Sequence, residues 1–349
     1  MWKKTWVRWV AVLAALPAFA VLGVWSWWAG IDFSHSGGDP EATRGHLAWL
    51  PEEVPTTRGR ILAVVTSAER TLDGRGRAGF ELTELSRAWW VFESAGFEID
   101  LASPAGGSAP RVIDDDLVDA DYAFLNDPQM EAKMAATLRL DEIDASRYDA
   151  VYIVGGKGAM IDLHGHPSLG RILAEVYNRG GVIAAVCHGP AGLLGVEIGP
   201  GRTLLQGRQV TGFSNAEELF LMKDPVARLG FLLEDALAAE GYFSEAPMYL
   251  EHVVIDGRVL TGQNPWSTWA LAEATLRALG AEPAPRPRSS EERAVDLLAL
   301  LHAQGYDAAR AAKPSMEPID NRLLLMHGVI AAMRSDYQRL IDLLRLARV

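Results

Sequence analysis

Residues 182–192 read V-I-A-A-V-C-H-G-P-A-G. A short, unbroken apolar run with β-branched residues suits a strand buried on both faces. The run stops at Cys187, and Gly189 and Pro190 then break the extended chain, which places Cys187 at a sharp strand-to-helix elbow. The alternation recurs on both sides. R-I-L-A-V-V-T-S (residues 60–67), F-E-I-D-L-A-S-P (97–104) and Y-D-A-V-Y-I-V-G-G (148–156) read as strands, whereas 81–96 and 168–181 carry helical apolar spacing closed by glycine. Residues 253–265 predict a hairpin around Asp256 and Gly257, and 267–280 a closing helix. Strands alternating with helices imply an α/β fold with a mostly parallel sheet covered on both faces, and ligands bind at the carboxyl ends of its strands.

The chain has 349 residues, 49% hydrophobic and 22% charged, enough for one large core with appendages. A formal charge of −12 without a basic patch argues against a nucleic-acid partner. Lys3, Lys4 and Arg8 precede an apolar run over residues 9–29, and about twenty such residues match the hydrocarbon thickness of a bilayer. Residues 1–30 are therefore expected to form a signal-anchor helix with the N-terminus cytoplasmic and the domain on the periplasmic or extracytoplasmic side. The competing reading is a cleaved signal peptide with a small-residue site at residues 18–20. Residues 31–58 read as a linker, 59–280 as the α/β domain, and 281–349, after a Pro-rich link, as two amphipathic stretches expected to form a helical hairpin. Oligomeric state is left open, a homodimer included.

A single cysteine excludes an intramolecular disulfide, a Cys-x-x-Cys pair and a multi-cysteine metal site. The elbow gives Cys187 three features of an activated thiol: helix N-terminal potential, exposure at the sheet edge and His188 next in sequence. His164 and His166 lack further ligands of metal-site spacing, and Lys157 in G-G-K-G is not followed by the Ser or Thr of a phosphate loop.

Five segments in order, 91–107, 184–194, 210–218, 231–237 and 253–265, resemble the heat-shock chaperone and glyoxalase III branch of the DJ-1/PfpI (type 1 glutamine amidotransferase-like) superfamily. The resemblance implies a flavodoxin-like, doubly wound α/β sandwich and a cofactor-independent enzyme acting on small reactive carbonyls, converting methylglyoxal to lactate. The runner-up reading is a stress-responsive holdase chaperone, and the third an amidase or amidotransferase-like hydrolase. Carried over by position, Cys187 matches the nucleophile and His188 the histidine after it. Glu84 matches the glutamate that hydrogen-bonds the sulfur, and Glu217 the acid that orients the histidine, with Glu218 the alternative. Gly155 and Gly156 match the loop whose amides would hold an oxyanion, and Gly189 would allow close approach of backbone or substrate. No metal or nucleotide cofactor is implied.

Two departures from the family pattern, V-G-G-K-G and S-R-A-W-W, place Lys157, Trp89 and Trp90 at the expected pocket mouth. A protonated Glu84 donating to sulfur, with helix potential, would bring the Cys187 pKa down to roughly 5–6.5.

Overall fold

The structure is a computed structural model describing residues 26–52 and 57–348. The chain divides into two units, one formed by Gly37–Pro287 and the other by Met1–Ser36 with Arg288–Val349. In the larger unit, seven strands form one sheet: β1 (Gly59–Val64), β2 (Phe97–Ser103), β3 (Leu138–Arg139), β4 (Ala150–Ile153), β5 (Val182–Val186), β6 (Val253–Asp256) and β7 (Val259–Gly262), in the order β6-β7-β5-β4-β1-β2-β3. Every pairing is parallel except the β6–β7 hairpin, which turns through Gly257 at φ 61°. The reason is visible in the central strands. Every residue of β4 and β5 is buried, so their sequences carry no polar face.

Strand β1 lies between β2 and β4, in register from Gly59 opposite Phe97 and from Ile61 opposite Ala150. Sheet order reverses there, so the carboxyl ends of β1, β4 and β5 converge on one crevice. Flanking helices complete the layers. Helix α1 (Leu82–Ser94) packs on α2 (Thr268–Ala278), and Arg87, fully buried on α1, meets Asp121 at 3.1 Å.

Within the stretch 31–58, read as a linker with local turns, residues 38–49 are tied to the domain surface. Within the larger unit Gly38 N–H donates to the Leu117 carbonyl at 2.7 Å, Asn126 Nδ2 donates to the carbonyls of Pro40 and Ala42 at 2.8 Å, and Trp49 meets Trp269 edge to face. These backbone groups find partners on the domain surface, which local breaker content does not reveal.

The smaller unit also differs from the expected hairpin. Four helices follow one another, α3 (Ser290–Gln304), α4 (Tyr306–Met316), α5 (Asn321–Met333) and α6 (Tyr337–Leu346), burying Leu297, Leu298, Leu301, Leu324, Leu343 and Leu346. The second expected stretch is split by Ser335 at φ 61°, after which Asp336 caps α6 through Arg339 N–H at 3.0 Å. Asp32 and His35 belong to this unit, their carbonyls accepting from Asn321 Nδ2 at 2.7 Å and Ser290 Oγ at 2.6 Å.

The apolar run of residues 9–29 lies outside the described residues up to Trp25. Among the described residues no helix is long and apolar enough to cross a membrane.

Because Gly37–Pro287 buries a core of its own, that segment expressed alone should melt in one cooperative transition. Calorimetry checks this; aggregation without a defined transition would show that the tail completes the fold.

Candidate active site

Cys187 ends β5 in the left-handed region, at φ 58°, where a non-glycine residue pays a conformational cost. Two backbone bonds hold it there: its N–H donates to the Gly262 carbonyl at 2.9 Å, and its carbonyl accepts from Phe213 N–H at 2.8 Å. This over-determined turn aims the sulfur at the crevice. The helix expected after it is instead a 3₁₀ segment of five residues, Gly189–Leu193, so the dipole available to a thiolate is small.

The sulfur lies 3.3 Å from His188 Nδ1, and His188 Nε2 lies 2.7 Å from Glu218 Oε2. All three side chains are buried. Stacking of Phe213 on the imidazole, at 4.6 Å between ring centres, fixes its plane. Burial pushes the Glu218 carboxyl up, but the adjoining His188 and its hydrogen bond outweigh that push and hold Glu218 below its ordinary value, so it stays ionised.

Glu217, expected to orient His188, does something else. Its Oε2 accepts from Ser214 N–H at 3.0 Å, and its Oε1 accepts from Tyr249 N–H at 2.8 Å and Asn264 Nδ2 at 2.9 Å. It is the third residue of a helix capping box, whose geometry turns its side chain back toward the N-cap. Glu218, one position on, faces the imidazole. The network around Glu217 holds Tyr249 at φ 59°, and the Tyr249 phenol, itself buried, is within electrostatic reach of Glu218 and Cys187. Sequence gave no signal for Tyr249.

Glu84, in the first turn of α1, is fully buried. Its Oε2 accepts from Gly155 N–H at 2.7 Å, its Oε1 is buried without a hydrogen-bond partner, and the carboxyl adjoins Cys187. Burial pushes Glu84 up to about 8, so it carries a proton at neutral pH. Burial, with the adjoining Glu84, also pushes the Cys187 thiol well up. The expected lowering of this pKa is therefore corrected: Cys187 is only 4% exposed, and the helix that was to stabilise a thiolate is a five-residue 3₁₀ segment. The resting pair is a thiol beside a carboxylic acid.

Gly155 and Gly156 end β4 against this pair. A Cβ on Gly155 would stand 2.6 Å from Glu84 Oε2 and 2.8 Å from Cys187 Cβ, so only glycine lets the three backbones converge. The Gly155 amide is engaged by Glu84 and not open to an oxyanion, whereas the Gly156 amide partly offsets the upward push on the Cys187 thiol. Gly189 packs on the Ile153 carbonyl, where a Cβ would come within 2.6 Å, so the close approach it permits is of backbone.

Trp89 and Trp90 are buried core residues and do not frame the mouth; both meet Phe124 edge to face. Lys157 does stand at the mouth, 2.6 Å from Asp114. Next to its partner Asp114 lie two more acids, Asp115 and Glu81, whose carboxylate accepts from the Asp114 N–H at 3.2 Å. Glu81 is pushed up to about 10 by burial, then by Asp115, and Asp115 up to about 6 by burial. In sequence they look like ordinary solvated acids. His166 caps the helix Pro167–Asn178, and His164 stacks on Phe231.

The DJ-1/PfpI family model matches residues 77–278. Glyoxalase 3 of Candida albicans is 30% identical over 233 residues, which cover 63% of this chain and 98% of the relative. A glutathione-independent glyoxalase of Saccharomyces cerevisiae is 29% identical over 231 residues, with the same coverage. Among solved structures, the Rapid Encystment Protein of Francisella tularensis superposes with a TM-score of 0.59 at 30% identity, covering 63% of this chain and 99% of that one. Glyoxalase III from Candida albicans superposes at 0.58 with 28% identity, covering 63% and 97%. The chain belongs to the DJ-1/PfpI family.

Proposed function

We propose, on the premise of that membership, that this protein is a glutathione-independent glyoxalase in which Cys187 is the nucleophile and His188, Glu218 and Glu84 handle protons. The observation that carries the reading is the unbroken line from sulfur to imidazole to carboxylate, 3.3 Å and then 2.7 Å, beside a carboxylic acid. The glyoxalase names of its relatives support the substrate class.

A neutral thiol needs a base. His188 takes the thiol proton as sulfur adds to the aldehyde carbon of methylglyoxal, and Glu218 stabilises the imidazolium that forms. The S–C bond forms, the C=O π bond breaks, and the new oxyanion meets the Gly156 amide before His188 returns the proton to it. From this hemithioacetal the proton on the former aldehyde carbon moves to the neighbouring carbon by way of His188, while Glu84 gives its proton to the ketone oxygen and takes back the hydroxyl proton of the first carbon, giving a lactoyl thioester. Water cleaves the thioester, releasing lactate and the thiol. Methylglyoxal plus one water equals lactic acid, so no oxidant or reductant enters.

Exposed Leu219, Leu221 and Val226 supply the apolar surface of the holdase alternative. Cys187→Ala separates the two activities. It should abolish glutathione-free methylglyoxal loss and leave suppression of client aggregation unaltered; loss of suppression with retained turnover would reverse the assignment.

A further inference from the structure

Beside the thiol site, and not used by the steps above, a cavity of about 290 Å³ is lined by Thr71, Arg77, Asp114, Lys157, Met222 and Arg228. Three cations face it from three parts of the chain. Lys157 lines the cavity and follows the Gly155–Gly156 turn, where a Cβ on Gly155 would stand 2.8 Å from Cys187 Cβ, so the turn joins the cavity wall to the thiol. Met222, which closes the helix carrying Glu218, forms part of the wall between them.

The cations are not fully matched by acids. Lys157 pairs with Asp114 at 2.6 Å, and Arg228 meets Asp73 at the longer distance of 3.6 Å. Arg77 meets a carbonyl and not a carboxylate, with Nη2 3.3 Å from the Arg111 oxygen. On the wall itself Lys157, Arg77 and Arg228 face a single lining carboxylate, Asp114, with Asp73 reaching Arg228 from outside the lining, so cations outnumber acids there. Arg228 is also built in: its Nη2 lies 2.8 Å from the point where a Gly76 Cβ would stand, so glycine there lets the guanidinium close on the wall. Burial on one side lowers the effective dielectric and strengthens attraction for an anion. Asp114 is half exposed and would move aside from Lys157 at little cost.

We propose that this cavity is an oxyanion subsite, and that the substrates are 2-oxoaldehydes bearing a phosphate or carboxylate on the carbon away from the aldehyde. Lys157 and Arg228 grip the anionic end while the aldehyde reaches Cys187. The chemistry is unchanged: one water adds across the rearranged 2-oxoaldehyde and the anionic group is a spectator. The substrate class rests on the glyoxalase reading; the anion site does not.

The full-length protein, Lys157→Met, Lys157→Arg and Arg228→Met are melted in inorganic phosphate, in acetate and in sodium chloride of equal ionic strength. Phosphate or acetate should raise the wild-type Tm above the chloride value, since a ligand that binds only the folded state stabilises it. Lys157→Met and Arg228→Met should lose that rise and Lys157→Arg should keep it. No anion-specific rise, or an equal rise in both Met variants, overturns the subsite.

Turnover is then compared for methylglyoxal and its 3-phosphorylated analogue. Wild type should favour the phosphorylated compound in kcat/KM by about tenfold, and Lys157→Met should erase the preference. Equal turnover of the two by wild type overturns the substrate class. Turnover of neither, with the anion-specific rise intact, fails the glyoxalase reading and leaves the subsite standing.

Discussion

Replacing Glu84 by Leu should lower glutathione-free methylglyoxal turnover by about 10²–10⁴-fold, the range for loss of a positioned proton donor. The same change removes the acceptor that engages the Gly155 amide at 2.7 Å, so it also leaves a buried N–H without that partner. Glu84→Gln separates the two effects. An amide keeps an acceptor for Gly155 and a donor for sulfur but has no proton to give, so Gln should restore the fold and not the rate.

The pH dependence has a definite sign. Glu84 is held up to about 8 against an ordinary value of 4.5, so its proton is present at neutral pH and lost above about 8. Turnover should therefore fall as pH rises through about 8. The folded state binds the proton that the unfolded chain releases near 4.5, so the stability associated with Glu84 is full below 4.5 and declines up to about 8. A shift of that size corresponds to about 3–5 kcal/mol. Glu84→Gln should reduce the slope of the stability curve between these limits by one proton's worth, leaving the slopes from Glu81, held up to about 10, and Asp115, held up to about 6. Denaturation at several pH values reads this slope; an unchanged slope in Glu84→Gln would show that Glu84 is ionised in the folded protein.

The second large effect separates two adjacent glutamates. Glu218→Gln removes the carboxylate that faces His188 at 2.7 Å, and losing the group that orients and stabilises an imidazolium costs on the order of 10²–10⁴-fold in kcat. Glu217→Gln leaves that pair intact. It weakens the bonds to Ser214, Tyr249 and Asn264, so its cost should fall on stability, about 1–3 kcal/mol, with kcat of the folded enzyme within a few-fold of wild type. Kinetics beside urea melts of both variants check this. A large kcat loss in Glu217→Gln with none in Glu218→Gln would move the orienting role back by one residue.

The glutamate pair also shows where sequence stops. The unbroken apolar runs of β4 and β5 and the elbow motif made the α/β sheet legible, since period and turn chemistry are local properties. Two neighbouring acids in S-N-A-E-E are indistinguishable by composition. Only the capping box, which draws Glu217 back to Ser214, determines that Glu218 faces His188. Cys187 acidity failed for a related reason. Its elbow was readable, but its burial and the five-residue 3₁₀ segment after it depend on packing from distant segments. Trp89 and Trp90 were misplaced because Phe124, their aromatic partner, arrives from an excursion whose helices had no strong periodicity. Residues 38–42 looked like linker because their partners, Leu117 and Asn126, lie more than seventy residues on.

The most direct measurement mixes the full-length protein with methylglyoxal in the absence of glutathione and counts the lactate formed. One lactate per methylglyoxal consumed by wild type, and none above the buffer rate with Cys187→Ala, is the predicted result. Equal lactate from the two proteins, or methylglyoxal loss by wild type without lactate, would contradict a cysteine-dependent glyoxalase.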